Sequence, residues 1–176
     1  MKKYIFVFIG LFFLFNSCEV VNSLTVFDIR FSQTIPIKAS LSLNTPFDIP
    51  TPETTTNLSS SIDNNNTQKD LIQKIWLKSL QMNIVKPDGE DFSFLSTIKI
   101  YISAEGESEE LIAWMDNVPT TASTISLSVT DADLKKFILK DKISLRTRIT
   151  TDEINSSDYE VNLDADFTVD AKILGI

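Results

Sequence analysis

The sequence contains no histidine and only one cysteine among its 176 residues. Without histidine there is no Ser-His-Asp triad, no imidazole base near neutral pH and no histidine-ligated metal. A single cysteine excludes an internal disulfide, a four-cysteine zinc site and a cysteine-bound cluster. Because these absences remove the commonest catalytic and metal chemistries, the sequence predicts a protein that is not an enzyme and has no cofactor or metal.

Positive charge and glycine are also scarce. The chain has 16 Lys and Arg against 24 Asp and Glu, which gives a net charge of −8. Nucleic acids select surfaces rich in Lys and Arg, so we expect no nucleic-acid partner. After the N-terminal region the glycines are Gly89, Gly106 and Gly175, which are too far apart to form a phosphate-binding loop.

The N-terminus has the features of an export signal. Lys2 and Lys3 precede an apolar run over residues 4–15, which is interrupted only by Gly10. That run is too short to cross a hydrocarbon core, which needs about 20 residues. It fits the apolar region of a secretory signal, which is typically about 7–15 residues long.

The residues after the apolar run indicate which kind of signal this is. Asn16 and Ser17 lead directly to Cys18, the only cysteine. Residues 1–18 resemble the signal of bacterial lipoproteins, although Phe15 and Ser17 stand where Leu and Ala or Gly are usual. The resemblance implies that Cys18 is acylated and becomes the mature N-terminus. The alternative is an ordinary secretory signal followed by an incidental cysteine.

The resemblance also implies a domain organisation and a location. Residues 1–17 are the signal peptide, 18–23 are the lipidated cysteine and a short tether, and 24–176 are a single domain. Losing Lys2 and Lys3 with the signal moves the net charge from −8 to −10. We therefore expect an acidic domain in the bacterial cell envelope, held close to a membrane, with the outer membrane favoured.

Alternating apolar residues dominate the rest of the chain and predict strands. The first runs contain Phe27–Phe31 and Ile35–Leu43, and a helical turn at 68–73 precedes a strand that continues to Lys86. The longest run begins at Tyr159, and this C-terminal strand is a candidate for pairing across chains. Seven or eight such strands predict an all-β fold, an antiparallel β-sandwich with an immunoglobulin-like architecture. A barrel is the alternative.

Two non-strand segments accompany the predicted strands. Thr130 and Asp133 cap a short helix near residues 131–140, where the apolar period changes to that of a helix. The polar segment 53–68 is predicted to be an exposed loop.

Aromatic and acidic side chains are the remaining candidates for a site. Tyr101, Trp76 and Trp114 form a candidate platform for a glycan or lipid, although Trp76 and Tyr159 fall in apolar patterns where aromatics are usually core. Carboxylates cluster at 88–91, 105–110 and 164–170. Solubility alone explains acids in turns and on a wet strand face, so a carboxylate-based hydrolase is the least favoured hypothesis.

The leading hypothesis is a lipid-anchored, non-enzymatic protein with an envelope protein partner, bound through edge strands and acidic loops. The alternative is a glycan- or lipid-binding module. The hypotheses predict different structures: an uncovered strand edge or flat patch, a pocket with exposed aromatics, or two close buried carboxylates with a raised pKa.

Overall fold

The computed structural model describes residues 26–39, 41, 43–65 and 67–172. These residues form ten strands, which are β1 Val26–Ile37, β2 Phe47–Pro50, β3 Thr54–Thr55, β4 Ile72–Lys86, β5 Leu95–Ala104, β6 Glu107–Asp116, β7 Thr124–Ser126, β8 Ser128–Val129, β9 Lys142–Thr151 and β10 Tyr159–Ala171. The helices are α1 Leu58–Asn64, α2 Lys135–Ile138 and a 3-10 turn at Lys69–Leu71. No helix in the described ranges is both long enough and apolar enough to cross a membrane.

The strands form two packed sheets, so the predicted antiparallel β-sandwich is confirmed. One sheet has the order β1-β10-β4-β7 and the other the order β2-β9-β5-β6-β8, with β3 also paired to β9. The immunoglobulin-like label describes the layout of two antiparallel sheets but not the connectivity. In each sheet an early strand, β1 or β2, lies beside a late strand, β10 or β9, which in turn lies beside a strand from the middle of the chain, and this order is that of a jelly roll.

β1 is one continuous strand where the sequence indicated two. Its core-facing side runs through Ile29, Phe31, Ile35 and Ile37, all of which are buried. Pro36 lies inside the strand, which an edge strand tolerates because one side of it needs no N–H donor. The predicted continuation to Leu43 is wrong, since Leu43 makes only an isolated bridge to Thr151.

The helices differ from the predictions in position and number. The helix expected near 131–140 is present but contains only Lys135–Ile138, while the turn expected at 68–73 is the 3-10 turn before β4. The prediction of an exposed loop over 53–68 misses α1. Leu58 and Ile62, four residues apart, are buried at 2% and 6% exposure, and this spacing places both on one helical face.

The core lies between the two sheets. β10 follows its predicted alternation, and Val161, Leu163, Ala165, Phe167 and Val169 are all buried. At the other side of the sandwich, β5 and β6 meet in a hairpin, where Gly106 has a φ of +78°. The alternation of apolar and polar residues along the strands therefore gives each sheet one solvent-exposed face and one face in the core.

Candidate functional site

The predicted anchor lies outside the described part of the chain. Cys18, the signal at 1–17 and the tether at 18–23 all precede Val26, where the described structure begins. Lipidation of Cys18 therefore remains a prediction.

The three predicted platform aromatics lie on two opposite faces. Tyr101 in β5 and Trp114 in β6 are on the outer face of the larger sheet, where Trp114 pairs with Lys99 two residues before Tyr101. Trp76 in β4 pairs with Thr168 on the outer face of the other sheet. Tyr101 and Trp114 thus share one face of one sheet, and Trp76 lies on the opposite face of the sandwich.

Cations lie over two of these aromatic rings. The Arg146 guanidinium carbon is 4.2 Å from the centre of the Tyr101 ring, and the Lys74 ammonium is 5.7 Å from the centre of the Trp76 ring. Both distances are within the cation–π range. A sugar stacking on either ring from that side would have to displace the cation.

Arg146 is fixed in place by carboxylates on both sides of β9. Its Nε donates to Glu109 at 2.8 Å and a second nitrogen donates to Asp48. Arg148 in turn donates two hydrogen bonds of 2.8 Å to Asp48. The hydrogen bonds from Arg148, followed by those from Arg146, lower the pKa of Asp48 to about 2. This face is a network of satisfied ion pairs.

Tyr159 belongs to the core, as its sequence pattern predicts. It is buried, it stacks on Phe94 with 4.4 Å between ring centres, and its hydroxyl donates to Glu90 at 3.1 Å. Burial raises its pKa to about 12, with a further contribution from the hydrogen bond to Glu90.

Four described carboxyl groups have a displaced pKa, and all four are displaced downward. Asp28, Asp48, Glu109 and Asp158 each accept a hydrogen bond from a Lys or Arg, which is the main cause of the lower pKa. A general acid needs the opposite shift. These groups act as partners of cations.

A cleft of about 510 Å³ lies beside the β5–β6 hairpin. Charged side chains dominate its lining, including Lys69, Lys140 and Lys142, which pair with carboxylates at 3.4–3.6 Å. Tyr101, Trp76 and Trp114 do not line it. Of the three predicted aromatics, Trp76 lines a separate cleft of about 410 Å³ together with Lys74, Asp131 and Asp170.

The two edges of the smaller sheet are treated differently by the fold. At the β7 edge, main-chain groups of β4 beyond the short strand β7 are capped. Ile75 donates its N–H to the Asp133 carboxylate at 3.2 Å and accepts from the Leu134 N–H at 2.7 Å. The ammonium of Lys135 bonds to the Ile72 carbonyl. At this edge the stretch of strand left open to another strand is therefore limited to the three residues of β7.

β1 forms the opposite edge, and no strand of the described residues pairs with its outer side. It pairs with β10 over twelve residue pairs without a register shift. Among the described residues, no hydrogen bond outside that ladder reaches a main-chain group of β1. An exposed row of this kind is a ready template for pairing with another strand.

The direction of the free main-chain groups follows from β4, which runs parallel to β1. Core-facing residues of β4, such as Ile75 and Leu80, direct their main-chain groups towards the β7 edge. Core-facing residues of β1 therefore bond towards β10, and the outward-facing ones direct theirs to the free edge. The outward-facing residues of β1, whose main-chain groups point to the free edge, are Val26, Asp28, Arg30, Ser32, Thr34 and Pro36. Pro36 agrees with this direction, because it has no N–H to give to the ladder.

Charged side chains flank the free edge on the outer face. Arg30 donates to Asp166 at 2.9 Å, and its side chain is 77% exposed. Asp28 accepts from Lys78 at 2.6 Å and from Thr168 at 2.7 Å. These pairs hold both side chains flat along the sheet and leave the main-chain row of β1 accessible.

The sequence suggested a different strand for pairing across chains. The long C-terminal strand β10 has no free edge, because it lies between β1 and β4. Periodicity identifies strands but not their neighbours. The sequence signal for the free edge is Pro36, because a proline in this run indicates either an edge strand or the start of a strand.

Comparisons with known proteins show no family. No protein-family model and no curated protein sequence matches the chain. Among solved structures, Desmodium yellow mottle tymovirus aligns at 9% identity and a TM-score of 0.30, covering 86% of this chain and 91% of that one. Cocksfoot mottle virus aligns at 5% identity and a TM-score of 0.31, covering 85% of each.

A structure of carbohydrate-binding modules from the β-sandwich superfamily also aligns, at 11% identity and a TM-score of 0.31. The alignment covers 88% of this chain and 58% of that chain. At such TM-scores these likenesses carry no argument, and the strand order itself defines the fold.

Proposed function

We propose that the chain is a lipid-anchored, non-enzymatic protein of the bacterial cell envelope that acts through protein contacts along the free edge of β1. The observation that supports this proposal is the contrast between the two edges of one sheet. At one edge Asp133, Leu134 and Lys135 cap β4 beyond the three-residue strand β7, whereas at the other edge the twelve residues of β1 have no hydrogen-bond partner on their outer main-chain side among the described residues. Adding a strand to such an edge is a common mode of protein recognition.

The anchor would place this edge close to the membrane. Cys18 precedes Val26 by eight residues, and eight residues span at most about 28 Å. A domain with net charge −10 is repelled by an anionic leaflet, so the acyl chains must supply the attachment. Two or three acyl chains anchor stably, at about 0.8 kcal/mol per buried CH2.

The anchor is tested by replacing the only cysteine. The Cys18→Ala variant is expected to leave the membrane fraction, and mass spectrometry of the wild type is expected to show fatty acid on Cys18. The proposal of an anchor fails if the variant stays membrane-associated and the wild-type cysteine carries no fatty acid.

The contact surface is tested by site-specific crosslinking in the membrane-anchored chain. A photoreactive residue at Ser32, on the free edge, is expected to capture a protein before extraction in mild detergent. Ser126 is the matched control, because it is an exposed serine in β7 at the opposite edge of the same sheet. Capture from Ser126 but not from Ser32 would refute the assignment to β1.

The alternative is a glycan- or lipid-binding module, which one observation favours: Tyr101 and Trp114 share the outer face of the larger sheet. Under this alternative, Trp114→Ala weakens retention on an immobilised glycan or lipid and Trp76→Ala does not, because Trp76 lies on the opposite face. Equal retention of both variants and the wild type would remove this alternative.

A further inference from the structure

The residues along β1 are complementary to β1 itself. We propose that the occupant of the free edge is a second copy of this chain, paired antiparallel through β1 about a two-fold axis beside Ile29. This inference rests on the proposed function of the edge and names its partner. Such an interface is isologous, so each contact occurs twice.

The charges select this register. With the axis at Ile29, Asp28 of each copy faces Arg30 of the other, and both residues direct their main-chain groups towards the shared edge. The two form a hydrogen-bonded pair, which exchanges both N–H···O bonds. Opposite charges directly across two strands stabilise the pairing.

The neighbouring registers are disfavoured. Moving the axis to position 28 sets Asp28 against Asp28, and moving it to position 30 sets Arg30 against Arg30. Like charges directly opposite are destabilising. A register shifted by a single residue, in which an even-numbered residue of one copy faces an odd-numbered residue of the other, is also excluded. It would turn the apolar side of one strand towards water.

The core side of β1 fits the same register. Ile29 meets Ile29 of the second copy, and Phe27 meets Phe31. Phe27 is only partly buried within one chain, while Ile29 and Phe31 are buried at the sheet margin. Aromatic and β-branched cross-strand pairs add to the stability of a sheet. The register thus matches apolar with apolar on one face and opposite charges on the other.

The anchors are compatible with this pairing. Val26 pairs with Ser32 of the second copy, so the two Val26 residues are six positions apart, or about 20 Å. Each anchor segment from Cys18 can extend up to about 28 Å, so both lipids can enter one bilayer. A single strand pair buries little surface and is weak in solution. Confinement to a membrane raises the effective concentration and favours it.

Disulfide trapping tests both the partner and the register. Residues 18–176 contain every described residue, and Cys18→Ser in this chain removes the only native thiol. Val26→Cys and Ser32→Cys are made separately in this background and mixed at high protein concentration under mild oxidation. A hydrogen-bonded pair has Cα atoms about 5.5 Å apart, within the range of about 4.4–6.8 Å for a disulfide.

The expected result is a crosslinked dimer from the mixture and none from either variant alone. Thr34→Cys is the matched control, since Thr34 is also an exposed hydroxyl residue with its main-chain groups on the free edge. In the proposed register, however, Thr34 lies two residues beyond Ser32, which is the residue that faces Val26 of the other copy. Dimers from Ser32→Cys alone, or from Thr34→Cys with Val26→Cys in preference, would overturn the register.

A second pair of variants tests the occupant without cysteines. Ser32→Pro removes a free N–H inside the proposed overlap, whereas Thr34→Pro removes one outside it, and neither residue donates to β10. Dimer is expected to be lost only in Ser32→Pro, by sedimentation of the anchored chain in detergent. If the wild type is monomeric in all of these measurements, the proposal that a second copy occupies the free edge is overturned. If the photoreactive residue at position 32 still captures a different protein in the membrane, the proposed function stands without the second copy.

Discussion

Two buried threonines, Thr51 and Thr147, provide a sharp test of the core. Thr147 in β9 is fully buried on the inner face of the larger sheet, and its hydroxyl has no hydrogen-bond partner among the described residues. Thr51 is 9% exposed, and its hydroxyl donates to the Leu145 carbonyl and accepts from the Leu145 N–H at 3.0 Å. The two hydroxyls thus differ in partners rather than in burial.

We expect Thr147→Val and Thr51→Val to change stability in opposite directions. Leaving a buried polar group unpaired costs about 1–3 kcal/mol, so Thr147→Val is expected to raise the free energy of unfolding by about 1 kcal/mol. The gain is at the low end because the added methyl group must fit a packed core. Thr51→Val leaves the Leu145 N–H without its acceptor and is expected to lower the free energy of unfolding by about 1–3 kcal/mol.

Urea unfolding of both variants and the wild type measures these changes. Each variant should shift the midpoint with an unchanged m-value, because the surface exposed on unfolding stays the same. If Thr147→Val were destabilised as much as Thr51→Val, the hydroxyl of Thr147 would have a partner and the reasoning would be wrong.

Three further predictions follow from single contacts. Asp48 has a folded pKa of about 2, below its usual value near 4. Its contribution to stability is therefore present above pH 4 and is lost as the pH falls from about 4 to 2. In Asp48→Asn the urea midpoint should change less with pH across that range than it does in the wild type. Tyr159, with a pKa of about 12, should lose stability as the pH rises from about 10 to 12, and an absorbance titration should lose its highest step in Tyr159→Phe. Asp133 accepts from two main-chain N–H groups, so Asp133→Ala should lower the free energy of unfolding by about 1–2 kcal/mol, while the exposed Asp131→Ala should change it by less than about 0.5 kcal/mol.

Much of the strand content could be predicted because one face of each strand is wet. The alternation in β10 and β4 follows directly from a core on one side and water on the other. The helix α1 was missed because only Leu58 and Ile62 carry its apolar face, and the serines and asparagines around them are typical of a loop.

The sheet order could not be predicted from the same signal. Alternation in β1 and β10 is equally clean, yet β10 is a central strand and β1 is an edge. What distinguishes them is long-range pairing, and within the sequence only Pro36 carries a trace of it. The aromatic candidates failed to converge for the same reason, since the sequence does not show that Trp76 and Trp114 belong to different sheets.

The free edge of β1 is the central claim, and amide hydrogen exchange measured by NMR tests it most directly. In the dilute chain of residues 18–176, the amides of Asp28, Arg30, Ser32 and Thr34 should exchange rapidly, while those of Ile29, Phe31 and Ile35 should be protected by the ladder to β10. In the membrane-anchored chain, protection should extend to Asp28, Arg30 and Ser32. Equal protection of both sets in the dilute chain would show that the edge is already covered, and would contradict the account.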